Sequence, residues 1–382
     1  MSVFGTRPEA IKMLPLVKRI NSTEGFIGKV CVTAQHREML DQVMTYFGIT
    51  ADYDLNLMHH KQTLTTITTN VLTKLNEIFI NDRPDIVLVQ GDTTTSFAGT
   101  LAAFYQQIPV GHVEAGLRTS NIYTPFPEEA NRRLTAQLAT LHFCPTELNV
   151  QNLLKENITK HVYKTGNTII DALNTTIHEN YIFKDLKLRQ INFTTKRTIL
   201  LTVHRRENLG QPLQQIFSAI LTIVNAFPDI QIIYPVHKNP AVSNTAHNLL
   251  GKHPRIHLLD PLDVEDMHNL LKKSYIILTD SGGLQEEAPA LGKPVLVLRT
   301  ETERPEAVKA GATRVIGIET SKIIKSTTQL LTSKTEHIQM SQIVNSYGDG
   351  HASERICQAI THYFKTNPPP PHNNSTLANY TR

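Results

Sequence analysis

Short β-branched and aliphatic runs alternate with amphipathic stretches along nearly the whole chain, and this alternation restricts the fold more than any other feature. Residues 29–33, 85–89, 109–113, 141–144 and 162–164 read as strands, with helices at 94–107, 128–138, 148–155 and 169–178. After a polar, basic interval at 179–197 the pattern resumes. Strands fit 199–203, 230–234, 256–259, 275–278, 295–298 and 314–316; helices fit 213–227, 242–250, 264–272, 284–291 and 321–331. Strands that are apolar throughout must be covered on both faces, which is the condition of a parallel sheet flanked by helices. Two such blocks predict an α/β chain of two Rossmann-like domains, their parallel sheets facing a central cleft. The expected division is 1–178, a linker at 179–197, 198–350, a last helix at 351–365, and a disordered, proline-containing tail at 366–382. A length of 382 residues also favours two cores over one.

Composition narrows the function by exclusion. Thirty-eight basic and thirty-four acidic residues are spread without a basic block, which disfavours nucleic acid as a partner. No apolar run is long enough to span a bilayer, and no signal peptide is apparent. Cys31, Cys144 and Cys357 are far apart and match no metal spacing, so they read as reduced thiols of a cytoplasmic protein. None of the seventeen histidines belongs to an HExxH array, and no metal site is expected.

One stretch has the makings of an anion seat. The apolar run ending at Leu278 leads through Asp280-Ser281-Gly282-Gly283 into a helical stretch, with Arg304-Pro305-Glu306 further on. A strand that turns into a helix through Ser-Gly-Gly leaves backbone N–H groups pointing outward at the positive end of the helix dipole. Glu287, one turn on, can accept hydrogen bonds from a ribose diol, and it rather than Glu286 is expected to face a nucleotide, since neighbouring helix positions point about 100° apart. Read alone, the stretch fits equally well a diphosphate seat or an ordinary strand-to-helix turn.

Acidic clusters recur at strand ends of the first block: Gln90-Gly91-Asp92, His112-Val113-Glu114 and Pro127-Glu128-Glu129. The carboxyl ends of neighbouring parallel strands share a crevice, so Asp92, Glu114 and Glu128 can converge. Mutual repulsion and burial would then suit one of them to proton transfer. Taken singly, Asp92 could instead be a helix cap and Glu128 a first-turn acid. Arg7 and Lys12, around the start of the first helix, could meet an anion or be surface charge. In the second block His204 ends a strand and could serve as a cation or an acid/base.

Together these residues resemble the non-hydrolysing UDP-N-acetylglucosamine 2-epimerases of bacteria. The resemblance is carried by Gly5-Thr6-Arg7-Pro8-Glu9-Ala10-Ile11-Lys12, Gln35-His36-Arg37, Gly91-Asp92-Thr93, Val113-Glu114-Ala115-Gly116-Leu117-Arg118 and Pro127-Glu128-Glu129-Ala130-Asn131-Arg132. It continues through Thr165-Gly166-Asn167, His204-Arg205-Arg206-Glu207-Asn208, Asp280-Ser281-Gly282-Gly283, Thr302-Glu303-Arg304-Pro305-Glu306 and Tyr347-Gly348-Asp349-Gly350. The blocks run in order from about residue 3 to 360.

What the resemblance implies is a glycosyltransferase-B-like (GT-B-like) fold and epimerisation at carbon 2 of UDP-N-acetylglucosamine, with no cofactor and no metal. UDP would be eliminated to give bound 2-acetamidoglucal and then added back. The catalytic positions would be Asp92, Glu114, Glu128 and His204. The UDP-binding positions would be Arg7, Lys12, His204, Met267, Ser281, Gly282, Gly283, Glu287 and Arg304. An allosteric substrate site is implied at Gln35, His36, Glu38 and Lys61, weakened because Glu38 and Lys61 depart from the Gln and Arg often found there. A homodimer in the cytoplasm, feeding cell-surface polysaccharide synthesis, is the family expectation. A hydrolysing epimerase, a GT-B glycosyltransferase and an inactive UDP-sugar sensor are the rival readings.

Overall fold

Seven parallel strands form one sheet and six form a second. In the computed structural model, which describes residues 1–34, 37–57 and 62–368 (Glu38 by its backbone alone), the first sheet contains β1 (Ser2–Phe4), β2 (Val30–Val32), β3 (Tyr53–Asp54), β4 (Val87–Gln90), β5 (Val110–Val113), β6 (Leu141–Cys144) and β7 (Val162–Lys164). Their order is β3-β2-β1-β4-β5-β6-β7. The second contains β8 (Arg197–Thr202), β9 (Ile230–Pro235), β10 (Ile256–Leu259), β11 (Ile276–Thr279), β12 (Val295–Val297) and β13 (Thr313–Val315), in the order β10-β9-β8-β11-β12-β13. Both sheets therefore wind outward in two directions from a central pair, β1 with β4 and β8 with β11. At such a reversal the connections leave on opposite faces and open a crevice beyond the strands' carboxyl ends.

Helices cover both sheets, as strands with no polar face require. The first sheet carries α1 (Arg7–Asn21), α2 (Arg37–Phe47), α3 (Leu64–Asn81), α4 (Thr94–Tyr105), α5 (Glu128–Leu138) and α6 (Glu147–Lys155). After α7 (Thr168–Thr176) come α8 (Leu186–Gln190), α9 (Gln211–Ala226), α10 (Pro240–Leu250), α11 (Val264–Lys273), α12 (Leu284–Ala290), α13 (Pro305–Ala310), α14 (Thr320–Thr332) and α15 (Lys334–Ser341), and finally α16 (Ala352–Thr366). Val3, Val87, Val89, Val71, Leu75 and Phe79 share one core under the first sheet. The second sheet has a core on each face, around Leu201, Phe217 and Ile232 on one side and Leu200, Ile233 and Leu270 on the other. Fully burying such side chains stabilises a fold by about 1.5–3 kcal/mol each. No helix among the described residues is long and apolar enough to cross a membrane.

The chain divides into two compact units, Met1–Ala172 together with the segment from Gly348, and Leu173–Tyr347. The interval 179–197, expected as a linker, is structured within the second unit. Phe183 and Leu188 are buried in its core, with Tyr181 and Phe193 packed against them. Asp266 on α11 accepts hydrogen bonds from Tyr181 Oη at 2.7 Å, Lys184 N at 2.9 Å and Asp185 N at 2.8 Å, which fastens the interval to that helix. At the other end, α16 belongs to the first unit. Asp171 accepts from the amides of Ala352 and Ser353, satisfying N–H groups at the start of α16, and Arg355 donates to Thr165 O at 3.1 Å. Most of the proline-containing tail lies outside the described residues.

Candidate functional site

In the first unit the loop from β1 into α1 is built around a buried acid. Thr6 caps α1, and Glu9 returns a carboxylate to the amides of Gly5 at 3.1 Å and Thr6 at 2.8 Å, a reciprocal capping box. Its other oxygen accepts from Thr93 Oγ1 at 2.7 Å and Ser96 Oγ at 3.2 Å, so Glu9 joins the β1 and β4 loops. Burial pushes its carboxyl up, against the pull of these hydrogen bonds. Arg7 begins α1 and is half-buried.

Lys12, one turn further along α1, is buried, and its ammonium lies 2.7 and 2.8 Å from the two oxygens of Glu114. Gln90 also donates to Glu114, and Asn167 Nδ2 approaches it at 3.3 Å. Glu114 follows β5 with φ +65°, a left-handed conformation costly for a residue with a side chain and characteristic of functional sites. A Cβ at Gly91 would lie 3.8 Å from Glu114 Oε2, so the carboxylate lies against the loop carrying Asp92.

Asp92 is tied to α5. Arg132 pairs with its carboxylate at 2.8 Å and Asn131 Nδ2 donates to its carbonyl at 3.0 Å. Arg132 is itself buried beside Glu129, which also holds Arg133 and the amide of Thr119. Glu128, the first residue of α5, is half-buried; its carbonyl accepts from Arg132 Nε at 3.3 Å, while its carboxylate forms no hydrogen bond or ion pair among the described residues. Glu114 and Asp92 are thus brought to one set of loops, with Glu128 four residues from the arginine that holds Asp92. Two of the three acids each face a cation instead of one another, which replaces the repulsion expected from a bare carboxylate cluster. His112 next door is no acid/base. It is fully buried in β5, Nε2 is 2.7 Å from Gly91 O, and burial pushes its imidazole down to about 3.

In the second unit His204, just past β8, is held by Asp280, just past β11. Nδ1 lies 2.8 Å from Oδ1, while the amides of His204 and Arg205 and the side chain of Asn208 reach Oδ2 at 2.9, 2.8 and 3.0 Å. Burial raises the Asp280 carboxyl, but the hydrogen bond and charge of His204 and the two amides outweigh it and hold the group below the usual carboxylate range.

Beyond Asp280 the amide of Ser281 turns back to Thr279 Oγ1 at 2.9 Å, leaving the amides of Gly282, Gly283 and Leu284 at the mouth of α12. Gly282 is not in the left-handed region, and its use is room: a Cβ there would lie 2.9 Å from Arg304 Nη1. Arg304 is clamped by Glu286 at 2.6 Å and Glu303 at 3.0 Å. Burial raises Glu303, and Arg304 and Arg299 overcome this and hold it at about 2. Glu286 is spent on Arg304 and buried, whereas Glu287 stands 3.4 Å from His268 Nε2, whose Nδ1 meets Thr176 Oγ1 at 2.7 Å. Met267 on α11 is partly buried against the same core.

Asp280, Glu303 and His268 shape the second unit's site and were absent from the expected set, as Arg132 was in the first. Asp280, Glu303 and Arg132 stand inside the motifs quoted above and His268 follows Met267, but nothing in the spacing gives any of them a partner. Gln35, His36 and Lys61, expected in a second ligand site, lie outside the described residues, as does the side chain of Glu38. Among the described residues no three His, Cys, Asp or Glu side chains come together to hold a metal ion.

Comparison with known proteins places the fold among solved relatives. The family model for UDP-N-acetylglucosamine 2-epimerase matches residues 18–361. The Bacillus subtilis UDP-N-acetylglucosamine 2-epimerase is 55% identical over 365 residues, 95% of each chain. S. aureus MnaA, solved with UDP, superposes with a TM-score of 0.88 at 50% identity, covering 96% of each chain. The Neisseria meningitidis UDP-GlcNAc 2-epimerase bound to UDP-GlcNAc gives a TM-score of 0.88 at 48% identity, covering 94% of this chain and 99% of its own.

Proposed function

This chain belongs to the UDP-N-acetylglucosamine 2-epimerase family, and we propose that it interconverts UDP-N-acetylglucosamine and UDP-N-acetylmannosamine without releasing free sugar. The carbon 2 proton is not adjacent to a carbonyl, so direct deprotonation is a poor route. A base removes that proton as the bond from carbon 1 to the phosphate oxygen breaks, giving 2-acetamidoglucal and UDP. Protonation of carbon 2 from the opposite face, with the diphosphate oxygen returning to carbon 1, completes the epimerisation. The step is redox-neutral and needs neither hydride acceptor nor metal.

The observation that carries this reading is the pairing of Glu114 with Lys12 and Asp92 with Arg132 in neighbouring loops, with Glu128 beside them. Two carboxylates each held in place by a cation, with the half-buried Glu128 at the start of α5, are the acid and base groups that such proton transfers need. In this account Asp92, Glu114 and Glu128 carry the proton chemistry and His204 stabilises the departing diphosphate. Arg7, Ser281, Gly282, Gly283 and Arg304 hold the nucleotide, with Glu287 on the ribose and Met267 against the base. The amides at the mouth of α12, which have no hydrogen-bond partner among the described residues, support the diphosphate assignment. Relatives solved with UDP and with UDP-GlcNAc support the substrate class. The sequence resemblance supports a cytoplasmic homodimer that supplies cell-surface polysaccharide synthesis and takes its own substrate as an activator.

Chromatography of the products from UDP-N-acetylglucosamine tests the proposal. UDP-N-acetylmannosamine is expected at equilibrium with the substrate. Free N-acetylmannosamine with stoichiometric UDP would favour the hydrolysing reaction, and unchanged substrate would overturn both.

A further inference from the structure

Asp280 is completely shielded from solvent, and among the described residues no lysine or arginine pairs with it; its one ionisable partner is His204. A carboxylate in that position needs its lone pairs filled. Three donors on Oδ2 fix its plane: the amides of His204 and Arg205 and the carboxamide of Asn208. Oδ1 is thereby left as a rigid acceptor for one ring nitrogen, His204 Nδ1. A ring that donates from Nδ1 turns Nε2 the other way, and the His204 side chain is 37% exposed. The two residues end β8 and β11, the central pair of the second sheet, where an α/β unit receives its ligand. His237, just past β9, is the other titratable ring beside His204, at 5.6 Å between centroids. Burial and then the charge of His204 hold it below its ordinary value, so it does not compete for Asp280.

We infer that Asp280 is a positioning residue for the reaction. It holds the Nδ1–H of His204, so that a second proton carried on Nε2 can be given to the diphosphate oxygen that leaves carbon 1 and taken back on re-addition, with Nδ1–H bonded to Asp280 throughout. The inference rests on the function proposed above for the identity of that oxygen. Asp280 itself touches no substrate and stays ionised, acting only through the ring. A purely structural role, capping the turn at 204–208 through Oδ2, is the competing explanation.

Asp280→Asn separates the two. The carboxamide oxygen can keep the three Oδ2 donors and with them the turn, while its NH2 group faces His204 and demands a lone pair on Nδ1. The proton is then forced to Nε2. Turnover of UDP-N-acetylglucosamine is measured for the wild type, Asp280→Asn, His204→Gln and the double variant, with 15N spectra of histidine-labelled protein assigned through the His204→Gln difference. Asp280→Asn is expected to lower kcat by about 100-fold or more, with KM changed less than about threefold. In the His204→Gln background the same change should cost less than about twofold, because its partner is already gone. The spectra should show Nδ1–H in the wild type and Nε2–H in Asp280→Asn. Multiplicative losses in the double variant, a near-wild-type kcat for Asp280→Asn, or loss of UDP binding together with activity would overturn the inference. If Asp280→Asn does not fold, the wild-type spectrum alone decides: an Nε2–H tautomer contradicts it. Absence of epimerisation by the wild type would refute the proposed function, whereas a wrong tautomer in an active wild type would refute the inference alone.

Discussion

The ammonium of Lys12 lies 2.7 and 2.8 Å from the two carboxylate oxygens of Glu114, joining α1 to the end of β5 across 102 residues of sequence. Both side chains are about nine-tenths buried, so the pair is shielded from the solvent that makes exposed ion pairs weak. A cation that grips both oxygens holds the carboxylate ionised and aimed, as a base removing a carbon-bound proton must be held.

Glu114→Gln should therefore abolish exchange of the carbon 2 proton and leave UDP binding nearly intact, because it keeps the shape while removing the basic site and the charge that faces Lys12. Calorimetry with UDP and turnover measured in parallel check this. Full exchange in the variant would sink the assignment.

Lys12→Met tests whether the lysine serves the acid or the diphosphate. If its main partner is Glu114, kcat falls on the order of 100-fold while UDP affinity changes little, since the loss is one of proton transfer. A fall confined to UDP affinity would move Lys12 to the nucleotide.

Arg304 carries a different load. Arg304→Ala strips a buried guanidinium from Glu286 and Glu303, and removing one partner of such a pair costs on the order of 3 kcal/mol. Gly282→Ala acts on the same side chain more gently, pressing a methyl against Arg304 at a cost of about 1–3 kcal/mol. Thermal unfolding should rank the two, with the alanine at 304 the worse, and both should weaken UDP binding.

The pH dependence of stability should show two windows. Burial pushes His112 and His142 down to about 3 and about 4 from 6.5. An unfolded imidazole takes its proton first as pH falls, so stability drops below 6.5, by about 1.4 kcal/mol per pH unit for each histidine. Glu303, held at about 2 against 4.5 when unfolded, adds a second loss below 4.5 as the unfolded chain binds a proton that the native one refuses. Denaturant unfolding at pH 7, 6 and 5 measures the first window, and His142→Gln should flatten its slope.

Periodicity carried much of the architecture. The helix expected at 128–138 is α5, and the strands at 141–144 and 162–164 are β6 and β7. The misses have physical causes. The stretch that forms α3 is rich in threonine, a poor helix former, and becomes helical because Val71, Leu75 and Phe79 bury one stripe of it. The polar interval at 179–197 hides two core anchors, Phe183 and Leu188, among charged neighbours. Within the site, residue types at strand ends marked where chemistry could lie, but no spacing reveals that Lys12 meets Glu114 or that Asp280 meets His204. Those pairs are made by strand order, which brings β1, β4 and β5 side by side and sets β8 against β11.

The most direct test of the elimination and re-addition account is NMR of UDP-N-acetylglucosamine turned over in deuterated water. The account predicts UDP-N-acetylmannosamine carrying deuterium at carbon 2, and gradual loss of the carbon 2 proton signal from the remaining substrate. Epimerised product that retains its original carbon 2 proton would contradict it.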